Sequence, residues 1–266
     1  MGFDDGRRLS GAYLAEVRAT RTVTPHMVRV TLGGEDLRRM PARGFDHWFR
    51  LFLPRRDGMT DFDRVPESFG IGGYLKYLAS RPGTRPPFRN YTVREHRPEL
   101  GELDVEFVAH GGAGIAGPWA QRAVPGDRVA LLDQGRGFDP LDGTDFVLLA
   151  GDESALPAIL GILRDLPRDA RGLAIIEVPS AEDVQPADAP EGVELRWLPR
   201  AGAHERPGAL ALAAVRAFVP ERPDTIHAYL VGENAIPVEG RRHLVALGVP
   251  RRRIVFVGYW KAGRAS

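Results

Sequence analysis

The chain has 266 residues, enough for one large domain or two ordinary ones, and 43% of them are hydrophobic, which can fill a normal core. Its 36 basic residues nearly balance its 35 acidic ones, so the composition speaks against a nucleic-acid-binding or membrane-surface protein. It has no cysteine, which excludes disulfides, thiolate nucleophiles, Cys-ligated iron-sulfur clusters and Cys-type zinc sites.

The opening residues, MGFDDGRRLSGAYLAEV, lack the apolar centre of a signal peptide, and no apolar run approaches the roughly 18 residues of a membrane span. A soluble cytoplasmic protein is the expectation. The first half reads as short strands: YLAEVRATRTVT, HMVRVTLGG, HWFRLFLP, RNYTVREHR, ELDVEFVAH and DRVALLDQ. Gly, Pro and Asp lie between them, which predicts an antiparallel sandwich or barrel. Residues 55–88 form a long connection with interspersed aromatics, in which IGGYLKYLAS can carry a short helix and the whole can cover a cofactor.

The pattern changes near residue 145. FVLLAGD, GLAIIEVPS, VELRWLPR, HAYLVGEN and RRIVFVGYW are apolar strands, and ALPAILGILRDL, GALALAAVRAFV and VEGRRHLVALG are helical. Such alternation predicts a parallel sheet covered on both faces. The expected partition is a β domain over residues 1–142 and an α/β domain over 143–266.

Within RNYTVR, alternation puts Arg89 and Tyr91 on one strand face and turns Thr92 away unless the strand is ending. An arginine fork suits a diphosphate, and a tyrosine ring can stack on an isoalloxazine. Alone, this short pattern is better read as an ordinary edge strand, because it recurs by chance. One strand later comes HGGAGIAGPWA, whose small residues let backbone amides approach an anion ahead of a short helix. His110, at the strand end, is a binding residue or a turn cap.

In the second half, GDESALPAI is not a G-x-G-x-x-G fingerprint, yet Asp152, Ser154 and Ala155 fall at the carboxyl end of the first parallel strand, where open α/β sheets bind ligands. Ser154 can cap the following helix, and Asp152 can contact a ribose or adenine. In the closing GYWKAG, Tyr259 and Trp260 end the last strand on the side of the GDES turn. An aromatic ring there can cover a flavin or nucleotide, or simply seal the sheet edge, and Lys261 can guide an anion or be only a solvated charge.

In this order and spacing, RNYTVR, HGGAGIAGPWA, GDESALPAI and GYWKAG resemble the siderophore-interacting proteins, FAD-containing ferric-siderophore reductases of the ferredoxin-NADP reductase superfamily. The resemblance implies an α/β two-domain chain, with an N-terminal antiparallel β-barrel for FAD and a C-terminal α/β parallel-sheet domain for NADPH or NADH. It implies that Arg89 contacts the FAD diphosphate, Tyr91 stacks on the flavin and Thr92 bonds near N5, with Val93, Arg94 and Trp119 completing these motifs. His110, Gly114, Ile115, Ala116 and Gly117 would hold the phosphates. Asp152, Ser154 and Ala155 would meet the adenosine or nicotinamide side, and Trp260 would cover the cofactor.

The family's loop usually reads Gly-Pro-Ala-Ser-x-Trp. Here Gly114, Ile115, Ala116, Gly117, Pro118 and Trp119 leave only backbone N–H groups where a serine hydroxyl would donate. The family's Gly-Glu-Ala turn reads VGENAIPVEG, with Asn234 and Pro237 as departures. The implied reaction is flavin-centred, with no catalytic side chain and no resident metal. Lys261 and Arg94 would steer an anionic ferric siderophore, and a ferredoxin stands as an alternative electron donor. Two other readings compete: a flavoprotein of this fold recruited to a biosynthetic reaction, and a non-catalytic flavin- or siderophore-binding protein.

Overall fold

A computed structural model describes residues 12–55, 60, 62, 65, 77, 85–109, 114–200 and 206–263. The chain divides into two compact units. One runs up to Val23 and from Val28 to Gly137; the other holds Thr24–Met27 and everything from Phe138 onward.

The first unit contains β1 (Tyr13–Thr24), β2 (Met27–Gly33), α1 (Glu35–Arg39), β3 (Trp48–Phe52), β4 (Phe88–Thr92), β5 (Glu95–Arg97), β6 (Glu102–Val108), α2 (Ala116–Ala120) and β7 (Arg128–Asp133). The strands form one antiparallel sheet in the order β4-β3-β7-β1-β2-β6-β5. Its two edge strands, β4 and β5, are consecutive in the chain and separated only by Val93 and Arg94. Two extended residues span about 7 Å at most. The sheet therefore curls until its edges meet, which is the expected barrel. Val93 N–H donates to His47 O at 2.7 Å and Arg94 N–H to Asp104 O at 2.9 Å, fixing both sides of that corner. Alternation along β1, β2, β3, β6 and β7 sends Val17, Val30, Leu32, Phe49, Leu51, Leu103, Val105, Phe107 and Leu131 into one apolar core.

The second unit contains β8 (Phe146–Gly151), α3 (Leu156–Asp165), β9 (Gly172–Val178), β10 (Val193–Pro199), α4 (Ala209–Ala217), β11 (Ile226–Glu233), α5 (Ala235–Ala246) and β12 (Ile254–Trp260). Its strands are parallel in the order β10-β9-β8-β11-β12. Every residue of β9 and β11 is buried, as continuous apolar runs require in a sheet covered on both faces. The strand order reverses between β8 and β11, so the carboxyl ends of these two strands flank the switch point where open α/β sheets form a crevice. Of the helix expected in 71–80 only Tyr77, helical and buried, is among the described residues, and His110 lies outside them.

Candidate functional site

The first unit gathers its sequence-predicted residues around one strand. In β4, Arg89 stands opposite Leu51 and Tyr91 opposite Phe49, two members of the core, so Arg89 and Tyr91 share the inner face as alternation requires. Thr92, opposite Trp48, ends the strand and is buried. Phe88 lies on the other face, against Phe52 and Tyr77 with ring centroids 5.3 and 5.6 Å away.

Tyr91 packs on Phe107 with 4.3 Å between centroids, and Phe107 meets Trp119 edge-on at 5.6 Å. The ring series joins β4, β6 and α2. Burial pushes the Tyr91 phenol well above its usual range, so the ring stays neutral. Trp119 is buried and its indole N–H has no partner, a donor left for something other than the described protein groups.

Arg89 is distinguished by what it does not bond. Arg29, Arg43, Arg94 and Arg97 each pair with carboxylates of the barrel. Arg89 is half-buried, donates through one guanidinium nitrogen to Phe88 O at 2.8 Å, and meets no carboxylate among the described residues. An arginine so placed is a ready partner for an external anion. Arg94 differs: its side chain is 17% exposed and lies beside the buried Glu106, with Nε 3.7 Å from the carboxylate, which also holds Arg29. Its charge is therefore largely neutralised by an acid on the face of β6 opposite the core residues Val105 and Phe107. The Val93 side chain belongs to the core, leaving only its backbone for a ligand.

The glycine loop enters the described residues at Gly114, where φ is +83° and an added Cβ would meet nothing within 4 Å. The left-handed backbone and open space keep its peptide groups approachable. At Gly117 a Cβ would come within 2.9 Å of Val108 O, so α2 can lie against the end of β6 only without a side chain there. Ile115 is 36% exposed, while Ala116 and Trp119 are buried. Across the barrel, burial favours the neutral Asp133 carboxyl, but bonds from His47 (2.9 Å), Arg43 (2.6 Å) and Gly135 N–H (2.8 Å) outweigh it and hold its pKa at about 2. Asp133, His47 and Arg43 fasten β7 to the turn before β3.

In the second unit, Asp152 follows β8 at the switch point and is fully buried. One carboxylate oxygen accepts from Ser154 N–H at 2.9 Å and Ser154 Oγ at 2.5 Å; the other accepts from Glu233 N–H at 2.7 Å and Trp260 Nε1 at 2.9 Å. Burial, and then the Glu153 charge, push its pKa up to about 6 against these bonds. Trp260 ends its strand on the side of the GDES turn, as the sequence implies, but its indole N–H is given to Asp152 within the unit, a bond the sequence did not suggest. Other roles differ. Ser154 does not cap α3, because its hydroxyl serves Asp152 and Ala155 occupies the N-cap position with no side-chain cap. Ala155 is itself fully buried. Lys261 is exposed.

Sequence reasoning missed the acids around this point. Arg200 donates to Glu153 at 2.9 Å and to Glu177 at 2.8 Å, all three nearly solvent-free. Glu177 also accepts from Gly208 and Ala211 N–H. The available signal was Glu177 itself, an acid inside the apolar run GLAIIEVPS.

An antiparallel barrel carrying an Arg-x-Tyr-Thr strand and a glycine loop, joined in sequence to a five-stranded parallel α/β unit, is the make-up of a flavin-dependent oxidoreductase. Comparison with known proteins narrows the class. Residues 16–137 match the siderophore-interacting FAD-binding domain and residues 144–263 the siderophore-interacting protein domain. Ferric vibriobactin reductase ViuB of Vibrio cholerae is 33% identical over 244 residues, 91% of this chain and 86% of that protein. The NADPH-dependent ferric-chelate reductase of Escherichia coli is 28% identical over 239 residues, 88% of this chain and 87% of that protein. The crystal structure of a siderophore utilization protein from T. fusca superposes with a TM-score of 0.78 at 34% identity, covering 97% of this chain and 95% of that one. The chain belongs to the siderophore-interacting protein family, and the flavin of its first unit is FAD.

Proposed function

We propose that the protein is a ferric-siderophore reductase that draws electrons from NADPH or NADH through FAD and releases iron by reducing Fe(III) to Fe(II). The observation that supports this reading is Arg89, a half-buried cation on the same strand face as Tyr91 with no carboxylate partner among the described residues. The donor set fits FAD: a guanidinium for the diphosphate, the Tyr91 ring for the flavin, approachable amides at Gly114, and the buried Trp119 N–H still without an acceptor. Bound FAD supplies hydride acceptance and one-electron delivery, which no side chain of this chain can perform.

The protein's own residues do the rest. Arg89 binds the diphosphate and sets the position of the ring system. Tyr91, locked against Phe107, orients that ring, and Thr92 offers its hydroxyl near N5. No side chain is assigned a proton transfer. Exposed Lys261 attracts an anionic ferric chelate, and Arg94 contributes less because Glu106 screens it. Hard oxygen ligands hold Fe(II) less tightly than Fe(III), so reduction frees the metal. The activities of the two relatives, ferric vibriobactin reduction and NADPH-dependent ferric-chelate reduction, support the substrate class and the donor. The ferredoxin alternative gains no support. No helix among the described residues is long and apolar enough to cross a membrane.

A direct test incubates FAD-loaded protein with NADPH, a ferric siderophore and a chromogenic Fe(II) trap under nitrogen. Fe(II) forming in proportion to enzyme is the expected outcome, and a rate equal to that of free FAD with NADPH would refute the reading.

A further inference from the structure

At the carboxyl edge of a parallel sheet, helix N-termini ordinarily receive a dinucleotide's diphosphate, because their free N–H groups and dipoles favour anions. In the second unit each of the three described termini of this kind, or the turn leading into it, gives at least one N–H to a carboxylate of the chain itself. At α3, Asp152 takes Ser154 N–H through its side chain and Ala155 N–H through its carbonyl at 2.9 Å, and Pro157 brings no N–H. Asp152, Glu153, Ala155 and Leu156 are all 2% exposed or less, so this terminus is also sealed. At α4, Glu177 accepts from Gly208 N–H at 2.7 Å and Ala211 N–H at 3.0 Å. At α5, Glu233 accepts from Ala235 N–H at 2.7 Å. Its other oxygen takes Ala262 N–H at 3.2 Å and Arg206 at 3.2 Å.

The charges point the same way. Among the described residues, four buried acids, Asp152, Glu153, Glu177 and Glu233, outnumber the cations at this edge, Arg200, Arg206 and the exposed Lys261. Arg200 is fully engaged with Glu153 and Glu177, and Arg206 lies against Glu233. A diphosphate brought to this edge would displace internal anions from their amides and meet like charge.

We propose that Asp152, Glu177 and Glu233 are specificity-determining residues that keep the donor's diphosphate off the helix N-termini, so that a reduced nicotinamide donor is recognised through its nicotinamide half. The proposal rests on the nicotinamide-nucleotide donor named above. It deepens that reading by fixing which part of the donor is read: the adenosine diphosphate half becomes dispensable.

Two measurements on the FAD-loaded, full-length protein test it. In calorimetric titration, ADP is expected to show no saturable binding tighter than about 1 mM. In anaerobic stopped flow, reduced nicotinamide mononucleotide is expected to bleach the flavin with an apparent second-order rate constant within about fivefold of that of NADH, because no charge-assisted diphosphate bonds are lost. ADP binding in the micromolar range would overturn the proposal. So would a rate constant for the mononucleotide about 100-fold or more below that for NADH, the loss expected when two such bonds disappear. Should NADH, NADPH and the mononucleotide all fail while dithionite bleaches the flavin, the nucleotide-donor reading falls and takes this proposal with it. Bleaching by NADH but not by the mononucleotide overturns the proposal alone.

Discussion

Replacing Arg89 with alanine isolates the group on which flavin binding is argued to rest. Within the protein, the side chain makes one hydrogen bond, to Phe88 O, and no ion pair among the described residues. Its loss should therefore cost the fold only about 1 kcal/mol, or roughly 2–4 °C in Tm for a chain of this size. Bidentate bonds to a diphosphate are charge-assisted and contribute about 1.5–3 kcal/mol each. Removing the fork should cost about 3 kcal/mol or more of FAD affinity, roughly a hundredfold in Kd. Fluorescence titration of apoprotein with FAD measures this directly. Arg18→Ala is the control, since Arg18 is an exposed residue paired with Glu16 and contributes little to either quantity. Arg89→Ala apoprotein that binds FAD within threefold of wild type would refute the reasoning and place the diphosphate elsewhere.

Three further outcomes are expected. Lys261→Ala should raise KM for an anionic ferric siderophore about two- to fivefold at low ionic strength, with the difference shrinking as salt screens it; steady-state kinetics at two salt concentrations checks this. Gly232→Ala should lower Tm by at least about 4 °C, because φ is +106° and the added Cβ would come within 2.7 Å of Asp152 Oδ1; calorimetry reads it. His227 is buried, and burial, helped by the Arg253 charge, lowers its pKa to about 4 from the ordinary 6.5. As pH falls, the unfolded chain takes up this proton first, so the contribution of His227 to stability is complete above about pH 6.5 and is lost progressively towards pH 4, by up to about 3 kcal/mol. His227→Phe should flatten the dependence of unfolding free energy on pH in that window, and an unchanged slope would contradict the assignment.

The parts of the fold visible in the sequence are those fixed by local pattern. YLAEVRATRTVT became β1 residue for residue, the apolar runs became the parallel strands, and alternation placed Arg89 beside Tyr91. That Trp260 and the GDES turn share one side was also legible, because both lie at carboxyl ends of strands in one parallel sheet; the hydrogen bond between them was not. What depended on distant partners was not. Asp152 reads as a ligand-contacting acid at a strand end, yet Trp260, 108 residues away, and the backbone of Glu233 both donate to one of its oxygens, while neighbouring Ser154 holds the other. Arg94 reads as an exposed cation until Glu106 is placed beside it by the closure of β5 onto β6. Glu177, in β9, and Arg200, just past the end of the adjacent β10, are 23 residues apart, and only the parallel pairing brings them together.

The central claim is that electrons reach ferric iron through the flavin of this chain. FAD-loaded protein, reduced anaerobically with one equivalent of NADPH and then mixed with an excess of ferric siderophore, tests it most directly. The yellow oxidised spectrum should return without oxygen, and about two Fe(II) should be trapped per flavin, since the flavin returns two electrons singly. A flavin that stays bleached in the presence of the ferric siderophore, and recovers its colour only on admission of air, would contradict it.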